Sequence, residues 1–454
     1  MIAFRRLLHK DPLPSGAGSF VFSVPRVTRF YVPLLLQGFS QSLSYPLVAG
    51  IVTHGVYGVN ALTAFSQGLM IMFMIGSLGA GLITTGLVFA KTWFGYVSFK
   101  RLNAIMMGAL LALQCLPLVP PLDTWIFEGF FSLPSELAKI SREILLGGVV
   151  MNAGFFLRNV SMVVLFNKLE SAKANNATLL RLFVTMGFSY VFPRCGLVGH
   201  WWGLFALTAG VWLETFVTWW YARPYVEELR GRSVAEIPDC AISVASLTLE
   251  QFRFTLPLAL GGFLLASSPL IIAAFVARTA DAVDMLAIHY VTIGVANPVA
   301  FAALKLQPVS VKFPPEYPGD RRLLGYAVIA GLLLGIVPLA FSTPWLGNWY
   351  FGVFQNVPSR ILSPARIAIG IYSAIAVIHA VRARIEGIAA ARKCPKAVMS
   401  GQIAYTISLF LVCAIMVPLQ IPGWIVALSA IFIAPICVTI AVYTHLALRK
   451  NVAA

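Results

Sequence analysis

The stretch Arg29-Phe30-Tyr31-Val32-Pro33-Leu34, followed by Gly38-Phe39, recurs as Arg253-Phe254-Thr255-Leu256-Pro257-Leu258, followed by Gly262-Phe263. The offset is 224 residues throughout, from Arg29 to Arg253. Leu36/Leu260 and Ser44/Ser268 keep it, so eight of the sixteen positions from 29 to 44 are identical. Apolar bias inflates matches between hydrophobic segments, but it does not produce shared Arg, Pro and Gly. Each copy opens on an arginine and runs straight into apolar sequence. That is how a helix enters a lipid bilayer from a basic side, so the chain reads as two copies of one membrane unit.

Composition agrees. Of 454 residues, 59% are hydrophobic and 11% charged, and the mean hydropathy is +0.84. An ordinary soluble domain carries about a quarter charged residues. So few charges cannot cover a soluble chain of this length, which excludes a soluble enzyme and a disordered chain. A helical span needs about 20 apolar residues. Apolar runs between charged or Pro/Gly breaks predict twelve, near 30–52, 61–88, 102–119, 144–166, 177–193, 199–222, 252–277, 282–309, 323–343, 364–389, 397–419 and 422–448. Each is predicted helical, because lipid offers the backbone no hydrogen bonds. The runs are continuous rather than alternating, which argues against a β-barrel.

The 33 Lys and Arg against 17 Asp and Glu give a formal charge of +16. On the predicted spans, 26 of the 33 fall on one side, Arg181, Lys312 and Arg382 among them. Six fall on the other (Lys139, Arg142, Arg194, Arg278, Arg360, Arg366), and Arg158 lies inside a span. The positive-inside rule then puts both termini in the cytoplasm, as for an integral multi-pass protein of a bacterial inner (plasma) membrane. Orientation and attraction to anionic membrane lipid account for the charge, so no nucleic-acid partner is expected. The basic N-terminus has no apolar stretch before Val24 and is not read as a signal peptide. Six scattered Cys contain no CxxC pair, so neither a metal site nor a disulfide framework is expected.

The repeat extends to layout. Each half has six spans and a longer outer connection, near 120–143 and 344–363. An even number of spans keeps both halves in one orientation, related by a pseudo-two-fold axis along the membrane normal. The predicted organisation is an N-terminal segment 1–29, a six-helix bundle 30–222, a linker 223–251, a second bundle 252–448 and a tail 449–454. Two such bundles facing across a V-shaped cavity make an alternating-access transporter by fold analogy.

The sequence resembles the multidrug/oligosaccharidyl-lipid/polysaccharide exporter superfamily, and within it the progressive ankylosis family. The matching residues are Arg29-Phe-Tyr-Val-Pro33-Leu, Pro46 within span 1, Gly86-Leu-Val-Phe-Ala-Lys91, Leu256-Pro257-Leu-Ala-Leu, and Val381-Arg382-Ala383 with Gly387. The resemblance implies an all-α, MATE-like fold and export or exchange of a small solute. For ankylosis-like members it implies an anion such as pyrophosphate, citrate or a nucleotide. One departure bears on mechanism. Cation-coupled members of the superfamily carry acids in span 1 or span 7. Here span 1 offers Gln37, Ser40, Gln41, Ser42 and Ser44, and span 7 offers Ser267 and Ser268.

Ionisable groups at membrane depth cost roughly 2.5–3.5 kcal/mol each on insertion scales, so each calls for a reason. Arg158 in span 4 and Glu214 in span 6 lie at similar depth. They read either as a structural ion pair or as an anion site, with Arg158 holding the anion and Glu214 tuning or releasing it. A guanidinium fork suits phosphate or carboxylate. Asn152 and Asn159 share span 4 and read as polar glue between helices, with Asn152 also a candidate contact to substrate. In span 8, His289 is a candidate proton carrier or a packing residue, and Asn297-Pro298 is an expected break. Arg382 and Glu386 are four apart in span 10, on one helical face. They read as a snorkelling pair near the inner end, and the Val-Arg-Ala match makes Arg382 a candidate binding residue. Lys91 and Lys312 are expected on a basic cytoplasmic rim, and tryptophans at span ends form an interfacial belt.

No Walker loop, HExxH or nucleophile elbow is present, so no enzyme and no ATP-driven pump is expected. The sequence reads as a monomeric secondary transporter for a small anionic solute. Its candidate binding residues are Arg158, Asn152, Gln37, Gln41, Asn297 and Arg382. Glu214 and His289 are the candidate coupling residues. There is no cofactor, though H+ or Na+ can serve as coupling ion. The rivals are a lipid-linked saccharide flippase and a drug/cation antiporter with Glu214 as the coupling carboxylate. A membrane-embedded transferase would need paired interfacial carboxylates, and Asp123, Glu128 and Glu136 are too loosely spaced for one.

Overall fold

A computed structural model describes residues 20–452 except 132, 236–242, 318 and 355–357. The described residues are helical or irregular, with no strand among them. Sixteen longer helices follow in order. They are α1 (Val24–Thr53), α2 (Gly58–Gly76), α3 (Gly81–Phe89), α4 (Trp93–Cys115), α5 (Ser135–Asn167), α6 (Ser171–Arg194), α7 (His200–Ala235) and α8 (Val244–Ala266). Then come α9 (Ser268–Val276), α10 (Ala282–Leu304), α11 (Leu306–Lys312), α12 (Arg322–Ser342), α13 (Ser359–Tyr372), α14 (Ile375–Ala391), α15 (Pro395–Met416) and α16 (Gly423–Val452).

Nine segments among the described residues are long and apolar enough to cross a membrane. Three further helices have the length alone: α1, α6 and α7, at 30, 24 and 36 residues. Helix α6 carries Lys173, Asn175, Asn176, Thr178 and Arg181 in its first half, which dilutes its apolar character. Asn297-Pro298 is not a break. Helix α10 runs through Pro298 without interruption, a tolerance common in membrane helices whose neighbours cover the freed carbonyl.

The 224-residue offset governs element boundaries as well as sequence. Helix α2 starts at Gly58 and α10 at Ala282. Helix α5 starts at Ser135 and α13 at Ser359, each directly after a proline, Pro134 and Pro358. Proline fixes the entry φ and asks for no backbone donor. Helices α6 and α15 start at Ser171 and Pro395. A short π-helical turn ends at Phe130 in one half and at Phe354 in the other.

The chain packs as two compact units. One contains residues 40–266. Its centre is α5, which packs against α7, α2 and α4, with α6 along α7. Val48, Phe65, Met72, Ile144 and Met151 belong to its core. The other unit contains residues up to Phe39 and from Ser267 onward. There α14 packs against α12, α11, α16 and α10, with α15 along α16, and Phe351, Tyr372 and Leu428 are core residues.

The division does not follow the linear halves at residues 222 and 252. The first part of α1 packs in the second unit. Tyr31 donates from its hydroxyl to the Ala302 carbonyl at 3.1 Å, and the Tyr326 hydroxyl bonds Thr28 at 3.1 Å. Helix α8 packs in the first unit. Its Thr255 bonds Thr85 at 2.7 Å, Thr248 bonds Ser98 at 3.0 Å, and Gln251 donates to the Gly95 carbonyl at 3.2 Å. The repeated glycines explain how. A Cβ on Gly38 would lie 3.1 Å from the backbone of Ala302, and one on Gly262 would lie 2.7 Å from the Ser77 carbonyl oxygen. At both equivalent positions two backbones come into contact, which only the absence of a side chain permits.

Candidate functional site

In the first unit α5, α6 and α7 bring three ionisable side chains together. Arg158 from α5 donates through Nη1 to Oε2 of Glu214 on α7 at 2.8 Å, and Arg181 from α6 donates through Nη1 to the same oxygen at 2.9 Å. The Thr178 hydroxyl, one turn before Arg181, donates to Glu214 Oε1. Arg181 reaches Ser44 of α1 with Nη2 at 3.2 Å, and the Arg158 guanidinium lies 4.8 Å from the centre of the Phe155 ring. Arg158, Arg181 and Glu214 are 6%, 4% and 0% exposed. Two arginines share one carboxylate, so the cluster carries a formal charge of +1 out of water. Nε of each arginine is buried with no hydrogen-bond partner.

The second unit holds a counterpart. Arg382 on α14 is 1% exposed. It donates Nε to Glu386 Oε1 at 2.9 Å and Nη2 to Gln402 Oε1 on α15 at 3.1 Å, while Gln402 donates Nε2 to Glu386 at 2.8 Å. Its guanidinium lies 5.2 Å from the Tyr405 ring centre, and its Nη1 is buried without a partner. The Tyr405 hydroxyl shares a hydrogen bond with Ser268.

These two clusters occupy equivalent positions of the repeat. At the offset of 224, Arg158 corresponds to Arg382, Thr178 to Gln402, Arg181 to Tyr405 and Ser44 to Ser268. The carboxylate alone breaks the pattern. It comes from α7 in the first unit and from the arginine's own helix, at i+4, in the second. Because Tyr405 stands where the first unit has Arg181, the first cluster keeps an excess cation and the second is formally neutral.

Arg382 is thus not a snorkelling residue but a buried one. Arg181 and Lys312, assigned by sequence to the basic side, are buried too, Lys312 at 1% exposure. Three of the 26 residues on that side therefore sit inside packed helices, and Lys312 does not form a rim. The other candidates fall elsewhere. Asn152 is buried and donates to Gln114 Oε1 at 2.7 Å and to the Met72 carbonyl at 3.3 Å, tying α5 to α4 and α2. Its amide is engaged in helix packing. Gln37 is buried in the second unit at 1% exposure, His289 is buried in α10 at 2%, and Asn297 on the same helix is exposed. The side chains of Gln41 and Pro46 lie outside the described residues.

Sequence reasoning missed Arg181, Thr178, Ser44 and Gln402. Their signal was the offset itself: carried beyond residue 44, it aligns Arg158 with Arg382 and the cluster partners follow. Three further acids are ion-paired. Arg142 forms salt bridges with Asp123 at 3.0 Å and Glu128 at 2.7 Å, and Arg360 grips Asp284 with two bonds of 2.7 and 2.8 Å. Among the described residues no three His, Cys, Asp or Glu side chains converge in a way that would hold a metal.

No protein-family model matches the chain, and no curated protein matches its sequence. Solved structures do match its fold. A MOP superfamily transporter from Pyrococcus furiosus Vc1, described by a reverse polarity of its binding pocket that suggests a different function, has a TM-score of 0.68 at 15% identity, over 94% of this chain and 96% of that one. The outward-facing conformation of a multidrug resistance MATE family transporter of the MOP superfamily gives 0.63 at 14%, covering 94% and 96%. A mutant of the Vibrio cholerae MATE transporter VcmN gives 0.67 at 14%, covering 94% and 97%. Together with the apolar helices, this full-length likeness establishes the fold: a multi-pass helical membrane protein built as the MATE transporters of the MOP superfamily are.

Proposed function

We propose that the chain is a twelve-span secondary-active transporter of the MOP superfamily, with ankylosis-like relatives, that moves a small anionic solute by alternating access. Both termini would be cytoplasmic and the membrane a bacterial inner membrane. The observation that carries this reading is the Arg158–Arg181–Glu214 cluster: two buried guanidinium groups against one carboxylate, with N–H groups left over. An anion entering there offers what the second arginine lacks. Arg158 and Arg181 would hold a phosphate or carboxylate by charge-assisted bonds, while Glu214 is displaced from one of them and returns when the anion leaves. Arg382, buried in the second unit, stays a candidate binding residue of that unit by itself.

A drug/cation antiporter is less well supported. A coupling carboxylate needs free oxygens, whereas both oxygens of Glu214 are taken up by three donors. Span 1 and span 7 contain no acid. The Pyrococcus furiosus protein, described as having a reverse-polarity pocket, supports the view that this fold does not dictate a cationic substrate.

The test is uptake into proteoliposomes of citrate, pyrophosphate and a nucleotide, against an organic cation, for the parent and Arg158→Gln. Saturable anion uptake, lost in Arg158→Gln, is the expected result. Cation uptake alone would overturn the reading and move attention to Glu214. Anion uptake that survives the substitution would remove Arg158 from the binding site.

A further inference from the structure

A second group of arginines lies in the unit that contains the C-terminal residues; its Arg384 follows Arg382 by two positions on α14, roughly 200° round the helix from it. The connection from Pro315 to Arg321 meets the end of α14 and the last turns of α16 around a cleft of about 320 Å3. Arg321, Arg384 and Arg392 line it, with Tyr317, Tyr443 and Leu446. Asp320 also lines it, but its carboxylate is already held. Arg322 donates Nε to Oδ1 at 3.0 Å and Nη2 to Oδ2 at 2.8 Å, and the backbone N–H groups of Glu316 and Arg322 bond the same oxygens at 3.3 and 3.1 Å.

The three lining arginines have no such partner among the described residues. Among the described residues no ion pair involves Arg321, Arg384 or Arg392. Arg384 makes one long bond, Nη2 to the Asp320 carbonyl at 3.5 Å, and its Nε is buried without a partner. Three like charges gathered around one concave space repel each other unless an anion joins them. Planar guanidinium forks favour phosphate oxygens, which accept paired hydrogen bonds. The volume exceeds that of a bare phosphate and matches the lower end of small-ligand sites, about 300 Å3. The rim is amphipathic: Tyr317 and Tyr443 are exposed beside the arginines, Tyr443 at 64%, the pattern of side chains at a membrane–water interface.

We propose that this cleft binds a phosphate group carrying a small organic substituent, with the half-buried Arg384 as the anchor and the exposed Arg321 and Arg392 closing over it. The phosphate is either that of an acidic phospholipid headgroup or that of a soluble phosphate ester. The site is separate from the Arg158 and Arg382 clusters and does not depend on the identity of the transported solute.

The experiment uses the full chain, purified in a neutral glycoside detergent. Binding is measured by microscale thermophoresis with dihexanoyl phosphatidylglycerol below its micellar concentration, with glycerol 3-phosphate, and with dihexanoyl phosphatidylcholine. Saturable binding is expected for at least one of the first two, tighter than for phosphatidylcholine. Losing one charge-assisted contact weakens binding by about tenfold or more, so Arg392→Gln should shift the midpoint by that factor. Arg384→Gln with Arg392→Gln should abolish it. Arg101→Gln, an exposed arginine of the other unit, should leave it unchanged. Tighter binding of the lipid assigns the site to a headgroup, and equal or tighter binding of glycerol 3-phosphate assigns it to a soluble ester; both support the site. Arg392 is exposed, so its substitution tests the proposal even where Arg384→Gln fails to fold. The proposal is overturned by no saturable binding of either probe, or by binding that Arg392→Gln leaves unchanged.

Discussion

Replacing Glu214 with Gln keeps the shape of the side chain and removes its charge. In the native cluster the Nη1 atoms of Arg158 and Arg181 lie 2.8 and 2.9 Å from one oxygen, so they are at most about 6 Å apart. With an effective dielectric of about 20, two unit charges at that distance repel by about 3 kcal/mol. Stranding a buried charge by removing its partner costs about 3–5 kcal/mol in general, and this mutual repulsion is the largest part of that here. Glu214→Gln should therefore destabilise the chain by several kcal/mol. Arg181→Gln added to it should restore about 3 kcal/mol, making the double variant more stable than the single one. Added pyrophosphate or citrate should also stabilise Glu214→Gln, by about 2.7 kcal/mol at a hundred times its dissociation constant, and should stabilise the parent less. The assay is unfolding by dodecyl sulfate titration in mixed micelles, followed by tryptophan fluorescence. A double variant no more stable than Glu214→Gln would refute the idea that the carboxylate holds two arginines apart from their mutual repulsion. Anion stabilisation equal in parent and variant would refute competition between substrate and Glu214.

Asn152→Leu should cost about 1–3 kcal/mol, because it leaves Gln114 Oε1 buried without the donor that Asn152 supplies, while KM for the transported anion stays unchanged; a large rise in KM would return Asn152 to the binding site. Gly210→Ala would place a Cβ 2.9 Å from Arg181 Cγ and 2.7 Å from Thr185 Oγ1. Arg181 must then shift off Glu214, at a cost of about 1–3 kcal/mol, and the effect should largely vanish when Arg181 is already Gln. Hydrogen bonds from Arg322 hold Asp320 and Glu316 below the usual carboxylate range. A lowered folded-state value means the stabilisation is present above the ordinary values of 3.8 and 4.5 and is lost as pH falls through the folded-state values. Hydrogen exchange across residues 313–322 should therefore quicken on acidification below about pH 4, and Arg322→Gln should flatten that dependence.

The matched glycines at 38 and 262 were visible as letters in the repeat, yet their reason was not. Only the packing of α1 and α8 revealed that each presses its backbone onto another. Asn297-Pro298 reads as a break in isolation, but helix α10 continues because neighbouring helices, rather than local propensity, decide whether a membrane helix tolerates proline. The setting of Arg382 was misread as snorkelling although the residue is buried, since distance from a span end does not say which face is turned inward.

By itself the sequence determined that this is a helical membrane protein whose residues repeat at a spacing of 224. Those properties follow from the transfer of each side chain between water and lipid, which is additive along the chain and needs no knowledge of neighbours. Only the tertiary structure decided that Arg181 completes the Arg158–Glu214 pair. Glu214 lies 56 and 33 residues from those arginines, and contacts at that separation depend on how three helices are rotated against one another. The same packing drew the carboxylate from a different helix in each half, whereas the excess charge of the first cluster was already in the sequence, which has Tyr405 where the other half has Arg181.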